Sequence, residues 1–169
     1  MVKKGVGSWQ IDKALTAVQA IIEILIDGKW HRYQELREKA GLSSATLSKH
    51  LKELEKGIVE KRLLLNSGEY PYPVEYRIKE EYQASLSEIS SLMECASKLE
   101  TKSNEKNDNK EVISCIILGG RMLDKTMEKA YARYIEDKNV EAFEQSGGIA
   151  MSFYSKALRT ITKKKKQLT

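Results

Sequence analysis

Two hydrophobic periods alternate along the chain. From Gln10 to Asp27, residues Ile11, Leu15, Val18, Ile22 and Leu25 recur at four and three, which predicts a helix with one buried face. Ile21, Ile24 and Ile26 widen that face, so a further element or a second subunit is expected on its other side. Two short helices joined by a tight turn are predicted next, over Leu36 to Leu54. Gly41 suits the left-handed conformation that ends the first, and Ser43 suits the N-cap of the second. Leu47, Leu51 and Leu54 then share one buried face. After Gly57 the period falls to two. Ile58 to Leu65 is a β-leaning run, Asn66 to Pro73 is turn chemistry, and Val74 to Ile78 alternates as a half-buried strand. Lys29 to Arg32 is expected to form a short edge strand against that hairpin.

Beyond residue 80 the helical period returns. Glu80 to Glu100 carries Tyr82, Leu86, Ile89, Met93 and Ala96 as a heptad seam of a little over two repeats, broadened by Leu92 and Leu99. Thr101 to Lys110 holds no apolar residue and reads as a solvated loop. Two more helices are predicted, Glu111 to Glu136 and Val140 to about Thr162. Their glycine pairs, Gly119-Gly120 and Gly147-Gly148, mark kinks or close helix contacts, because mid-helix glycine costs about 1 kcal/mol relative to alanine. Met1 to Ser8 reads as a loose basic arm, and Lys163 to Thr169 as a frayed lysine tail.

Helix, turn, helix, strand, loop, strand is the order of a winged helix-turn-helix. The stretch Ala40-Gly41-Leu42-Ser43 through Leu51-Lys52-Glu53-Leu54-Glu55-Lys56-Gly57-Ile58-Val59-Glu60-Lys61-Arg62 resembles the winged-helix transcription regulators of the ArsR and MarR type. The resemblance covers roughly residues 10–80. It departs at the opening of the first motif helix, where such proteins often have Ser or Thr and this chain has Arg32 or Tyr33. The expected fold class is mainly α with a small β wing. Residues 1–79 would form the winged DNA-binding domain and 80–169 a C-terminal helical region for dimerisation.

The second motif helix, over 43–56, turns outward a face of Ser43, Ser44, Ala45, Thr46, Ser48, Lys49 and Lys52. Small residues allow close approach to a major groove, hydroxyls bond bases or phosphates, and lysines meet guanine edges or phosphates. Arg62, leading into the wing over 65–73, is expected at a phosphate, with Tyr70 on the adjacent backbone or minor groove. Leu15 together with Tyr82, Leu86, Ile89 and Met93 is the expected dimer interface. Two copies would then place their motif helices about 34 Å apart on a pseudo-palindromic duplex. The other reading of the seam is an intrachain bundle.

Charge supports this division. The net charge is +5, and about 14 basic against about 10 acidic side chains fall within residues 1–79. Two cysteines, Cys95 and Cys115, are too few for a disulfide framework and read as core thiols or, less simply, a redox pair. His31 and His50 lie apart from both in sequence, so no metal cluster is suggested. No phosphate loop, dinucleotide fingerprint or nucleophile elbow is present. The expectation is a non-enzymatic, cytoplasmic, homodimeric regulator that binds double-stranded DNA, with no cofactor and no membrane segment; the sequence does not identify an effector. The alternative is a winged-helix subunit that docks other proteins without specific DNA binding.

Overall fold

The computed structural model describes residues 8–101 and 108–167, with side chains for 16–98 and 110–161. The basic arm up to Gly7, the centre of the polar loop, the side chain of Leu15 and the side chains of the lysine tail lie outside the described residues. The chain divides into two compact units, Met1–Ile78 and Lys79–Thr169.

The first unit contains α1 (Ser8–Leu25), β1 (His31–Arg32), α2 (Tyr33–Ala40), α3 (Ser44–Leu54), β2 (Val59–Leu63) and β3 (Val74–Ile78). Ala17, Ile21, Ile22 and Leu25 of α1 are buried, where the helix packs on α2, α3 and β3. Gly41 closes α2 at φ 63°, in the left-handed region, and its N–H turns back to the last carbonyls of α2. Ser43 sits at the N-cap of α3, and its Oγ accepts the Thr46 N–H at 3.2 Å. Leu47, Leu51 and Leu54 are buried; each such side chain contributes roughly 1.5–3 kcal/mol through apolar burial.

The strands form an antiparallel sheet of order β1-β3-β2. His31 lies opposite Tyr76, and Val59 opposite Ile78. Val59, Tyr76 and Ile78 are buried, because alternate residues of a strand share one face. The other face carries two direct cross-strand pairs, Glu60 with Arg77 and Arg62 with Glu75. The apolar run into the wing stops being a strand at Leu63, and Leu63 and Leu65 are exposed.

The second unit is three long helices, α4 (Glu80–Thr101), α5 (Asp108–Asp137) and α6 (Val140–Gln167). Each packs on the other two. Between α5 and α6 the chain reverses at Lys138, with φ 56°, and the Asn139 side chain accepts the Ala142 N–H at 2.9 Å. α6 passes its expected end near Thr162, and α5 starts earlier than expected, inside the polar loop.

The bundle corrects one expectation. Tyr82, Leu86 and Ile89 are buried at 6%, 1% and 0% exposure within the single chain. Leu92 and Ala96 continue this line into a core with Cys115, Ala157 and Ile161, against which Met93 is partly buried. The seam is thus covered by the chain's own helices and offers no free face to a second copy. Periodicity correctly marks a buried stripe, but its partner is intrachain.

The glycine pairs lie within continuous helices. A Cβ on Gly119 would come within 2.6 Å of Leu92 Cδ2 and 2.8 Å of Tyr154 Cε2, so a larger residue there would have to displace those side chains. Beside Gly147, Met127 lies 3.2 Å from where a Cβ would stand, whereas Gly120 and Gly148 face open space. Cys95 and Cys115 are free thiols, and Cys115 Sγ donates to Cys95 Sγ at 3.0 Å. Burial, then the bond to Cys95, pushes the Cys115 thiol up to about 12.

Candidate nucleic-acid interface

The outward face of α3 is an exposed polar surface of the motif. Ser44, Ala45, Ser48, Lys49 and Lys52 are exposed, and Thr46 is half-buried. Their availability differs. Lys49 and Lys52 make no hydrogen bond or ion pair among the described residues. The Glu53 carboxyl, beside them, is lowered, first because Lys56 bonds it at 2.8 Å. Burial, then the Lys49 charge, lowers the His50 imidazole and so favours its neutral form.

The hydroxyls are already engaged. The Tyr33 hydroxyl donates to the Ser44 carbonyl at 3.0 Å and lies 2.8 Å from Ser48 Oγ. A phenol has one proton, so Ser48 is the donor in the second bond. Arg37 Nη1 donates to Ser44 Oγ at 3.4 Å, and Ser43 Oγ lies 2.9 Å from Thr46 Oγ1. The start of α3 is therefore braced by α2. Sequence reasoning does not find this brace. Its signal was the departure at the motif's opening position, where Tyr33 replaces a short hydroxyl and reaches across to α3.

Arg62 also stands differently from expectation. Its Nε donates to Glu75 Oε2 at 2.8 Å and its Nη2 lies 2.7 Å from the same oxygen. The guanidinium stacks 4.3 Å from the Trp30 ring centre, and Arg77 lies 4.5 Å from that ring. Arg62 is a member of an ion-paired sheet face and not a free cation at the wing. Tyr70, by contrast, is 90% exposed at the wing tip, and Arg32 reaches the wing through Glu69 at 3.3 Å.

His31 anchors the motif from within. It is buried, with Nε2 2.9 Å from Asp27 Oδ1 and Nδ1 3.0 Å from Glu35 Oε1. Two carboxylate acceptors require protons on both ring nitrogens. Burial alone would lower the imidazole, but the bonds to Asp27 and Glu35 outweigh it and raise it. Glu35 is held down to about 2, first by Lys39 and then by His31. This cluster ties the end of α1 to the first turn of α2, and thus to Tyr33.

The family model for HxlR-like helix-turn-helix proteins matches residues 18–104, just over half of the chain. The chain belongs to the HxlR-like helix-turn-helix family. It is a helix-turn-helix transcription regulator, and the HxlR-like family is one of regulators and not of enzymes. The matched stretch takes in most of α1, the motif, the wing and α4. The narrower likeness to the ArsR and MarR type rests on the motif residues alone. No curated protein and no solved structure matches the chain. Among the described residues no helix is long and apolar enough to cross a membrane.

Proposed function

We propose that this HxlR-like regulator binds a specific, pseudo-palindromic duplex as a homodimer in the cytoplasm, with α3 in the major groove. The observation that carries the reading is the pair of unengaged lysines, Lys49 and Lys52, beside the small Ala45 on an exposed helix face. Lys49 meets base edges, Lys52 meets phosphate, and Ala45 permits approach. Ser44 and Ser48 contribute through whatever bonding capacity the α2 brace leaves them. Tyr70, at the wing tip, lies on the neighbouring backbone or minor groove. Arg62 supports the sheet and does not contact DNA.

The dimer contact in this reading moves from the α4 seam to α5. Ile113 and Ile117 are 56% and 51% exposed, and Leu118 beside them is 44% exposed. Lys110, Ile113, Ile117, Arg121 and Asp124 share one exposed stripe. Antiparallel self-pairing about Ile117 sets Lys110 of each copy against Asp124 of the other, which gives a self-complementary two-fold patch.

The test is selection of bound fragments from genomic DNA with the purified full chain, followed by binding across a salt series. One recovered site with a steep salt dependence is expected. A second reading, a protein-docking subunit, is favoured by the exposed Leu63 and Leu65 on the wing; salt-independent or absent DNA binding would select it.

A further inference from the structure

Cys95 on α4 and Cys115 on α5 meet in the bundle core, beside the buried Leu92, Ala96, Ala157 and Ile161. Their Sγ atoms are 3.0 Å apart, with Cys115 donating to Cys95. A disulfide holds its sulfurs about 2.0 Å apart, so the pair needs to close by only about 1 Å to become one. Packing accounts for two small apolar side chains here. It does not account for the chain's 2 cysteines, on different helices, being set against each other.

The two thiols are otherwise unlike. Cys115 is 2% exposed, and burial together with the bond to Cys95 keeps it protonated. Cys95 is half-buried and so partly open to solvent. One thiol can meet a dissolved oxidant; the other cannot, but it stands within reach of the first. An accessible thiol beside a resolving partner is what a reversible thiol pair requires. The two positions are 20 residues apart, spanning the end of α4, the polar stretch and the start of α5. Joining them closes that loop and removes freedom from the unfolded chain.

We propose that Cys95 and Cys115 form a reversible intrachain disulfide when the chain meets hydrogen peroxide, and that the bond latches α4 to α5. The Cys95 thiolate attacks one peroxide oxygen. An S–O bond forms, the O–O bond breaks, and the leaving hydroxide takes a proton to become water. The Cys115 sulfur then attacks the Cys95 sulfur. The S–S bond forms, the S–O bond breaks, and the second hydroxide leaves as water with the Cys115 proton. Two thiols are oxidised and one peroxide is reduced to two waters. A small dithiol reverses the bond by attack at the more open Cys95 sulfur. The latch lies within the second unit, and its test needs neither DNA nor a second copy.

The full chain is treated with hydrogen peroxide, quenched, denatured and alkylated. Mass spectrometry should show both thiols lost together and a mass about 2 Da lower, for two hydrogens removed. A non-reducing gel should show a single chain, and dithiothreitol should restore both thiols. The oxidised chain should melt about 5 °C or more above the reduced one. Cys115→Ala should stop at a sulfenic acid on Cys95, trapped by dimedone, and Cys95→Ala should leave Cys115 unoxidised; neither variant should gain Tm with peroxide. Two alkylatable thiols surviving peroxide, a disulfide between two chains, or a Tm that does not rise on oxidation would each overturn the proposal. So would oxidation of Cys115 in Cys95→Ala as fast as that of Cys95 in Cys115→Ala, since the two thiols would then be equally accessible.

Discussion

The α3 and α5 helices each turn an exposed face outward, and the two faces are opposites. The outward face of α3 is small and basic, with Ala45, Lys49 and Lys52 open to solvent. The outward face of α5 is apolar in its first half, with Ile113, Ile117 and Leu118 exposed. Water tolerates the first face, whereas the second is an apolar patch of the kind that marks a contact site. The contrast assigns separate tasks: one face suits a polyanion, the other a second copy of the same helix.

The largest expected effect breaks the second half of that contrast. Ile117→Glu puts like charges at the centre of the proposed two-fold contact. Sedimentation should show a monomer, and affinity for the full two-half-site duplex should fall by about a hundredfold or more as avidity is lost. A variant that remains dimeric would move the interface elsewhere, whatever its DNA affinity.

Next comes Lys49→Ala, which tests the first half. A base contact should discriminate by about 1–3 kcal/mol per base pair, so specificity should relax at one position in each half-site. Binding to single-base variants of the selected site reads this directly. Equal weakening on every variant would make Lys49 a phosphate contact.

The support beneath α3 is tested by His31→Gln, which leaves Asp27 and Glu35 without their shared proton donor. A loss of roughly 1–3 kcal/mol is expected near pH 6 from broken charged hydrogen bonds. The pH dependence has a definite sign. His31 is raised above its ordinary 6.5, so its contribution is complete below that value and fades as pH rises through the higher folded value. Glu35 is lowered from 4.5 to about 2, so its contribution is present above 4.5 and fades as pH falls toward about 2. The gap in Tm between the parent chain and the variant should therefore be widest between those two ordinary values and narrow on either side. A gap independent of pH would mean that His31 acts by packing alone.

Arg62→Ala should have the smallest effect on DNA. A phosphate contact would lower the salt slope by about one. Because Glu75 and Trp30 already hold this side chain, an unchanged slope is expected, together with a modest loss of stability. A slope reduced by a full unit would return Arg62 to the DNA surface.

Local rules made much of the first unit legible. Leu47, Leu51 and Leu54 lie inside because their spacing matches a helix, and Gly41 and Ser43 sit where termination and capping need them. The strand alternation Val74 to Ile78 likewise carries its own register of faces. What periodicity does not carry is the identity of a partner. The stripe Tyr82, Leu86 and Ile89 is as buried as its spacing demands, yet the same pattern suits a sister chain or the next helix. The link from Arg62 to Glu75 and Trp30 depends on strand register, and the link from Tyr33 to α3 on how two helices cross. Neither is written in any short window. The Ser146 hydroxyl on α6, buried without a hydrogen-bond partner among the described residues, was invisible for the same reason, since an unmet hydroxyl is a property of its surroundings.

The Tyr33 brace has a consequence for base identity on the proposed duplex. With its only proton given to the Ser44 carbonyl, Tyr33 draws the Ser48 proton toward itself. Ser48 then shows the groove lone pairs only. It can receive the amino hydrogens of adenine N6 or cytosine N4, and it is mismatched to guanine O6, thymine O4 or a phosphate oxygen. Ser44 is the reverse case, since it receives from Arg37 and keeps its own proton for an oxygen or ring nitrogen. Tyr33 acting on Ser48 and Arg37 acting on Ser44 thus give two serines of one helix face opposite polarity toward the proposed duplex.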